Sequence, residues 1–515
     1  MVASFPPRLN AATVFVDRHL AEGRAARRAF RAGGRDVSYG EVAERAGRAG
    51  SALAALGVEI EQRVALALDD SPDFAAVFWG AARLGAVAVP LNPLMSDDEY
   101  AFVLDDSRAR VAVAERPVAA RLAALRPRLP WLRAVVSAGG RAPGALDLDE
   151  LLDKASPSLA PADTFDEDAM YWGYTSGSTG APKAAVHSHR DFVAAADLVG
   201  VGVFGLGPDD LTLSASKMYF AFGLGNSLYF PARVGAASVL VRERLTPERA
   251  FEVIAAERPT AFFAVATLYA RMLHVPDAPR RWDLSSLRLC VSSGEALPPA
   301  VFDGWRARFG LELLDVVGST EALHDFIANR PGAARRGSAG QVIPGFEARL
   351  VDDAGRDVPD GAVGELLIRG ATTAPFYWNR RERTRATMQG EWLRTGDMFS
   401  RDADGYFYFA GRADDMLKVA GQWVSPAEVE ARLVEHPAVV EAGVVGREDG
   451  DGLIRPQAFV VLDGGRAASP ALAEELIAFA RAGLAGYKAP RWIEFVDELP
   501  KTATGKIQRF RLRRP

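Results

Sequence analysis

From about position 37 to position 240, short runs rich in Val, Ala and Leu, such as residues 63–68, alternate with helix-like stretches such as residues 39–56. This rhythm constrains the fold more than any other feature. Strands buried on both faces read as continuous apolar runs, and the helices between them return the chain to the same end of a parallel sheet. A second region of the same texture covers residues 250–314, with strands expected at 261–265 and 287–291. Between 340 and 409 the pieces become short, strand-like and punctuated by glycine, among them 347–351 and 364–368, which predicts a smaller β-rich subdomain. Beyond residues 411–415 comes a tail with its own pattern: a helix at 426–435, strands at 439–445 and 457–462, and a helix at 469–483. The expected class is α/β. A large domain over residues 1–413 holds two βαβ sheet subdomains and the β-rich one, and a small α+β domain occupies residues 414–515.

A chain of 515 residues exceeds what one core usually organises, so two or more domains are expected on length alone. Lys plus Arg number 61 against 66 Asp plus Glu, a net charge of −5, so no global basic field draws the protein to nucleic acid or an anionic membrane. A small-molecule partner is the better expectation. The single cysteine, Cys290, sits in an apolar run and reads as a buried core thiol. The first ten residues lack the basic-then-apolar pattern of a signal peptide, and the longest apolar stretch, near residues 75–91, is broken by Arg83, which together favour a cytoplasmic protein. The histidines show no metal-ligand spacing beyond the weak His187-Ser188-His189 pair. Only seven basic residues are lysine, and five of them, Lys183, Lys217, Lys418, Lys501 and Lys506, fall in or beside the motifs described next.

The first motif is Thr175-Ser176-Gly177-Ser178-Thr179-Gly180-Ala181-Pro182-Lys183. Glycines let backbone N–H groups turn towards an anion, hydroxyls add donors and the lysine supplies neutralising charge, which together make a polyphosphate cradle. A P-loop would need lysine directly after the last glycine and a helix starting there. Here Ala181-Pro182 intervenes, and proline interrupts such a helix.

This segment resembles the phosphate-binding signature of the acyl-adenylate-forming superfamily, which includes acyl-CoA synthetases, non-ribosomal adenylation domains and firefly luciferase. The resemblance recurs in order along nearly the whole chain. Gly318-Ser319-Thr320-Glu321 resembles the element in which Thr320 contacts the α-phosphate and Glu321 binds magnesium; the resemblance makes both catalytic together with Lys506. Residues 391–397 resemble the ribose-binding segment, with Asp397 on the sugar hydroxyls. Residues 411–415 resemble the hinge, with Arg412 beside the nucleotide and Asp414 as the pivot of a mobile C-terminal domain. Residues 500–506 resemble the terminal catalytic loop carrying Lys506. The physics agrees: an acidic side chain accepts both hydrogens of a vicinal diol, and magnesium takes few protein carboxylates. Adenylation crowds negative charge at phosphorus, and losing one preorganised charge there costs roughly 3–4 kcal/mol.

Residues 217–226, with 293–298 and 318–324, look closest to benzoate-CoA ligases and related aryl-CoA ligases. That resemblance places Phe220, Ala221, Phe222, Gly223, Gly318 and His324 around an aryl acid, and Ser293, Gly294 and Glu295 along the adenine. It also sets Lys418, Gly421 and Trp423 on a loop bordering a coenzyme A tunnel. Independently, an aromatic pair on a Gly-rich turn offers flat apolar walls that suit a ring. The relatives' usual tyrosine is Phe222 here, and a proline common in the loop at 266–269 is Ala266, which leaves benzoate, aminobenzoate and hydroxybenzoate open as substrates. The implied cofactors are ATP, Mg2+ and coenzyme A. A carrier-protein phosphopantetheine stays open as the alternative thiol, while a phosphotransferase or a non-catalytic nucleotide binder is opposed by the position of Lys183 and the presence of Lys506 and Glu321.

Overall fold

The computed structural model describes residues 5–175, 182–419, 422–450, 453–464, 466–501 and 507–513. Its first sheet has seven strands in the order Leu146–Asp147, Ala134–Ala138, Val111–Glu115, Arg63–Ala67, Val87–Pro90, Ala169–Thr175 and Lys183–Ser188. All pairs are parallel except the last, where Thr175 lies opposite Lys183 across an antiparallel ladder. Strands such as Val111–Glu115 are buried along almost their whole length, as the continuous apolar runs require. Helices are set by local chemistry. Ser38 and Glu41 form a reciprocal capping box that starts the helix Tyr39–Ala55, and Ser96 with Glu99 does the same for Asp97–Ser107.

The second sheet has nine strands, in the order Gln341–Val342, Asp325–Ala328, Leu313–Gly318, Leu289–Ser292, Ala261–Ala264, Leu211–Ser214, Ala237–Leu240, Arg28–Ala32 and Arg35–Ser38. The two α/β units therefore do not divide the chain near residue 240 as the alternation suggests. Strands at 211–214 and 237–240, and the N-terminal hairpin, join the second sheet. A propensity pattern reports that strands alternate with helices but carries no information on which sheet receives each strand. Cys290 is buried in this sheet, and burial pushes its thiol up to about 12.

The β-rich piece is an antiparallel sheet built from Phe346–Val351, Gly364–Gly370, Trp392–Arg401, Met388–Gln389 and Phe407–Arg412. After it come the hairpin Leu417–Val419 with Gln422–Val424, the helices Pro426–Val434 and Pro470–Gly483, and a sheet of Val439–Glu448, Ile454–Leu462 and Trp492–Phe495 with its own apolar core. Among the described residues no helix is long and apolar enough to cross a membrane.

Candidate active site

The antiparallel end of the first sheet delivers Lys183, the turn after Leu313–Gly318 in the second sheet delivers Thr320 and Glu321, and the segment leading out of the third sheet delivers Tyr377. These meet. The Lys183 ammonium donates to the Tyr377 hydroxyl at 2.6 Å and lies 3.2 Å from Glu321 Oε1, and the Tyr377 hydroxyl donates to the same oxygen at 2.6 Å. The ammonium also sits 3.9 Å above the Tyr377 ring. Burial raises the Glu321 carboxyl, but the charge of Lys183 and the hydroxyl of Tyr377 outweigh it, and the net shift is downward. The result is a partly enclosed carboxylate kept ionised, a donor of the kind a hard divalent cation selects. The backbone around it is braced: Ala374 N–H donates to the Glu321 carbonyl at 2.7 Å, and Nε2 of buried His187 lies 2.7 Å from the Thr320 carbonyl oxygen. His187 also contacts Asp191, and His189 accepts from the Ala11 N–H, so the histidine pair serves the fold in two separate places.

Three residues after Glu321, His324 turns into a second, aromatic compartment. Between them Leu323 adopts φ +65° while fully buried, a conformation that costs a side-chain-bearing residue about 1–3 kcal/mol and marks a turn held by its surroundings. The His324 ring packs 4.5 Å from Phe230 and 5.5 Å from Phe222, and its Nδ1 lies 2.9 Å from Asp325 Oδ2. Phe222 follows Ala221 in the first turn of the helix Ala221–Leu224, whose N-cap is Phe220. Phe220, Ala221 and Phe222 are half-buried while Gly223 is enclosed. Gly318 is needed for close approach, since a Cβ there would stand 2.5 Å from the His324 carbonyl oxygen. Gly225 lies against the ring itself.

The loop preceding this helix is pinned from below. Asp70 Oδ1 accepts from the Met218 N–H at 2.8 Å, and burial, moderated by Lys217 3.9 Å away, pushes its carboxyl up to about 6. Lys217 itself donates to the carbonyls of Val241 and Glu243 and is buried, so this lysine secures the loop.

Among the other expected residues, Arg412 donates to Asp397 Oδ1 at 2.8 Å, and the Asp397 charge foremost raises the guanidinium's pKa. Ser293 is buried and donates to Asp325, Gly294 is exposed, and Glu295 accepts from both the N–H and the hydroxyl of Thr267. Thr267 belongs to the helix Ala266–Leu273, so the stretch expected as a loop at 266–269 is the start of that helix. Asp414 is exposed in the turn after Phe407–Arg412, and Lys418 is exposed on Leu417–Val419. Ser176, Gly177, Ser178, Thr179, Gly180, Gly421 and Lys506 lie outside the described residues, as does the side chain of Trp423. Sequence reasoning missed Tyr377, Asp70, Asp325 and Gly225. Tyr377 stands in a Phe-Tyr-Trp trio that reads as core, and only its hydroxyl's placement between two charges distinguishes it.

A lysine ammonium, an ionised carboxylate and an aromatic compartment converge at strand ends of two α/β sheets, the geometry of a nucleotide-dependent acid-activating enzyme. The AMP-binding enzyme family matches over residues 17–378 and the AMP-binding enzyme C-terminal domain over residues 428–506, and the chain belongs to this family. More particularly, it is 46% identical to a benzoate-CoA ligase of Thauera aromatica, over 99% of this chain and 96% of that one. A solved anthranilate CoA ligase in complex with anthranoyl-AMP superposes with a TM-score of 0.95 at 42% identity, covering 99% of this chain and 97% of that chain. A benzoate CoA ligase from Burkholderia xenovorans does so at 0.91 and 43%, covering 98% and 100%.

Proposed function

We propose that the protein is an AMP-forming aryl-CoA ligase working in two steps. The carboxylate of a benzoate-like acid attacks the α-phosphorus of ATP, pyrophosphate leaves and an aryl-adenylate forms. The thiol of coenzyme A, losing its proton, then attacks the acyl carbon; the bond from that carbon to the phosphate oxygen breaks, AMP departs and the thioester remains. The observation that carries this reading is the meeting of Lys183, Tyr377 and Glu321 from three sheets, with His324 on the same turn as Glu321 facing Phe222.

In this reading Thr175, residues 176–180 and Lys183 receive the phosphates, and Thr320 reaches the α-phosphate. Asp397, oriented by Arg412, takes the ribose hydroxyls, and Ser293, Gly294 and Glu295 line the adenine. Phe220, Ala221, Phe222, Gly223, Gly318 and His324 enclose the ring. Magnesium would be held by Glu321 and would screen phosphate charge. Lys506 neutralises the charge that crowds at the α-phosphoryl group, an effect of roughly 10²- to 10³-fold. Residues 1–413 and 414–515 form the two domains, Asp414 is the pivot between them, and Lys418, Gly421 and Trp423 border the thiol's route.

The test is pyrophosphate release over a panel of benzoates, cinnamates and short fatty acids, with and without coenzyme A. Benzoates should outcompete octanoate, and free coenzyme A should discharge the adenylate. ADP as the stoichiometric product would remove the reading, and an adenylate that only a carrier-protein thiol discharges would change the acceptor.

A further inference from the structure

Glu441 lies on the strand Val439–Glu448 in the small C-terminal sheet, yet neither of its partners belongs to that sheet. Its Oε1 accepts from Arg271 Nε at 2.8 Å, and its Oε2 accepts from Lys501 Nζ at 2.5 Å. The carboxylate is nearly enclosed, with 7% of its side chain exposed, and Lys501 retains only 14%. Arg271 sits one helical turn beyond Thr267 on the helix Ala266–Leu273. At that spacing the two share a helix face. One face of a single helix thus holds Glu295 through Thr267 and the small domain through Arg271. Glu295 registers the link: burial raises its carboxyl most, Thr267 lowers it, and Lys501 and Glu441 act on it in opposite senses.

Lys501 also pairs backbone to backbone with Ile507 in an antiparallel bridge, and the Gln508 N–H donates to the Pro500 carbonyl at 2.8 Å. These contacts close the stem of the segment whose last residue before Ile507 is Lys506. We propose that Glu441 is a positioning residue for the adenylation half-reaction, clamping this stem to the helix Ala266–Leu273 through Lys501 and Arg271. The clamp rests on the two-step reading above. Thioester formation after rotation about Asp414 would not use it, because rotating the small domain carries Glu441 away from Arg271. Replacing the carboxylate leaves Lys501 a buried cation without its counter-charge, which disfavours the docked arrangement in particular.

The experiment compares Glu441→Gln and Arg271→Gln with wild type in two assays: benzoate-dependent pyrophosphate–ATP exchange, and conversion of supplied benzoyl-adenylate with coenzyme A. Exchange should fall about 5- to 150-fold in Glu441→Gln, the range of typical coupling between sites. It should fall less in Arg271→Gln, and Glu441→Asp should recover part of it. Thioester formation should stay within about twofold of wild type. Arg271 lies outside the small domain, so it decides the matter if Glu441→Gln proves poorly folded: selective loss of exchange supports the clamp, and equal losses or none overturn it. Wild-type protein that exchanges with no aryl acid would sink the proposed reaction, a failure distinct from variants that exchange as well as wild type.

Discussion

Adding one methyl group at Gly225 tests the aromatic compartment without removing any polar group. A Cβ there would lie 2.5 Å from His324 Nε2 and 3.1 Å from the Tyr229 hydroxyl. Comfortable contact needs about 3.5–4 Å, so the imidazole must yield by roughly 1 Å. It has little room, with Phe230 4.5 Å and Phe222 5.5 Å from its centroid and Asp325 at Nδ1. Overpacking of this kind costs about 1–3 kcal/mol, partly offset by the ~0.5–1 kcal/mol that alanine gains over glycine in a helix. Gly225→Ala should therefore lose at most about 2.5 kcal/mol of stability by denaturant unfolding. A displacement of about 1 Å in a positioning wall commonly costs on the order of 100-fold, and that is the expected drop in kcat/KM for benzoate. The KM for ATP should change by less than about twofold, since Glu321 is braced by separate contacts. A folded variant with wild-type kcat/KM for benzoate would show that His324 does not wall the acid site.

Tyr377→Phe removes the hydroxyl shared by Lys183 and Glu321; at ~1.5–3 kcal/mol for hydrogen bonds to charged groups, kcat/KM for ATP should fall roughly 10- to 100-fold with the benzoate KM little changed. Equal ATP kinetics in steady-state assays would mean the hydroxyl is packing only. Lys506→Ala should slow pyrophosphate exchange roughly 10²- to 10³-fold while thioester formation from supplied adenylate survives, and equal loss in both would refute the division of labour. His19 and His189 are buried rings whose Nδ1 atoms accept hydrogen bonds, and burial foremost lowers each from 6.5 to about 4. Between pH 4 and 6.5 the unfolded chain then binds more protons than the folded one, so stability rises with pH across that window and is lost on acidification, by ~3 kcal/mol per ring. Denaturant midpoints of His19→Gln and His189→Gln should show a shallower slope there; slopes equal to wild type would contradict the assignment.

The alternation of apolar runs made the α/β class legible, because burial on two faces leaves a contiguous trace in sequence, and the short glycine-punctuated pieces between 340 and 409 did so for the β-rich piece. The allocation of residues 211–214 and 237–240 to the second sheet left none, since strand order is decided by pairing at long range. At the site, Lys183 was readable from charge set beside glycine and hydroxyl residues, and Glu321 from the resemblance carried by residues 318–321. Tyr377 was not, because its role depends on where one oxygen falls between two partners 194 and 56 residues away. Lys217 was readable as unusual but not as structural, for its partners are the carbonyls of Val241 and Glu243, which no side-chain pattern announces. The helix at Ala266–Leu273 was hidden by its brevity and by the lack of any side-chain cap at Val265.

Glu321 and His324 occupy one short turn, joined through a buried Leu323 at φ +65°. Anyone wishing to redirect the enzyme to a bulkier acid inherits that economy of construction as a constraint. Under the proposed function, a substitution at position 324 that moves the backbone of this turn, and not the ring alone, reaches the carboxylate, so altered selectivity would then come with impaired turnover. The opposite wall, residues 220–223, hangs from Asp70 and Lys217 and shares no peptide with the carboxylate. In the proposed site, libraries confined to residues 220–223 can explore new acids while the turn carrying Glu321 stays as inherited.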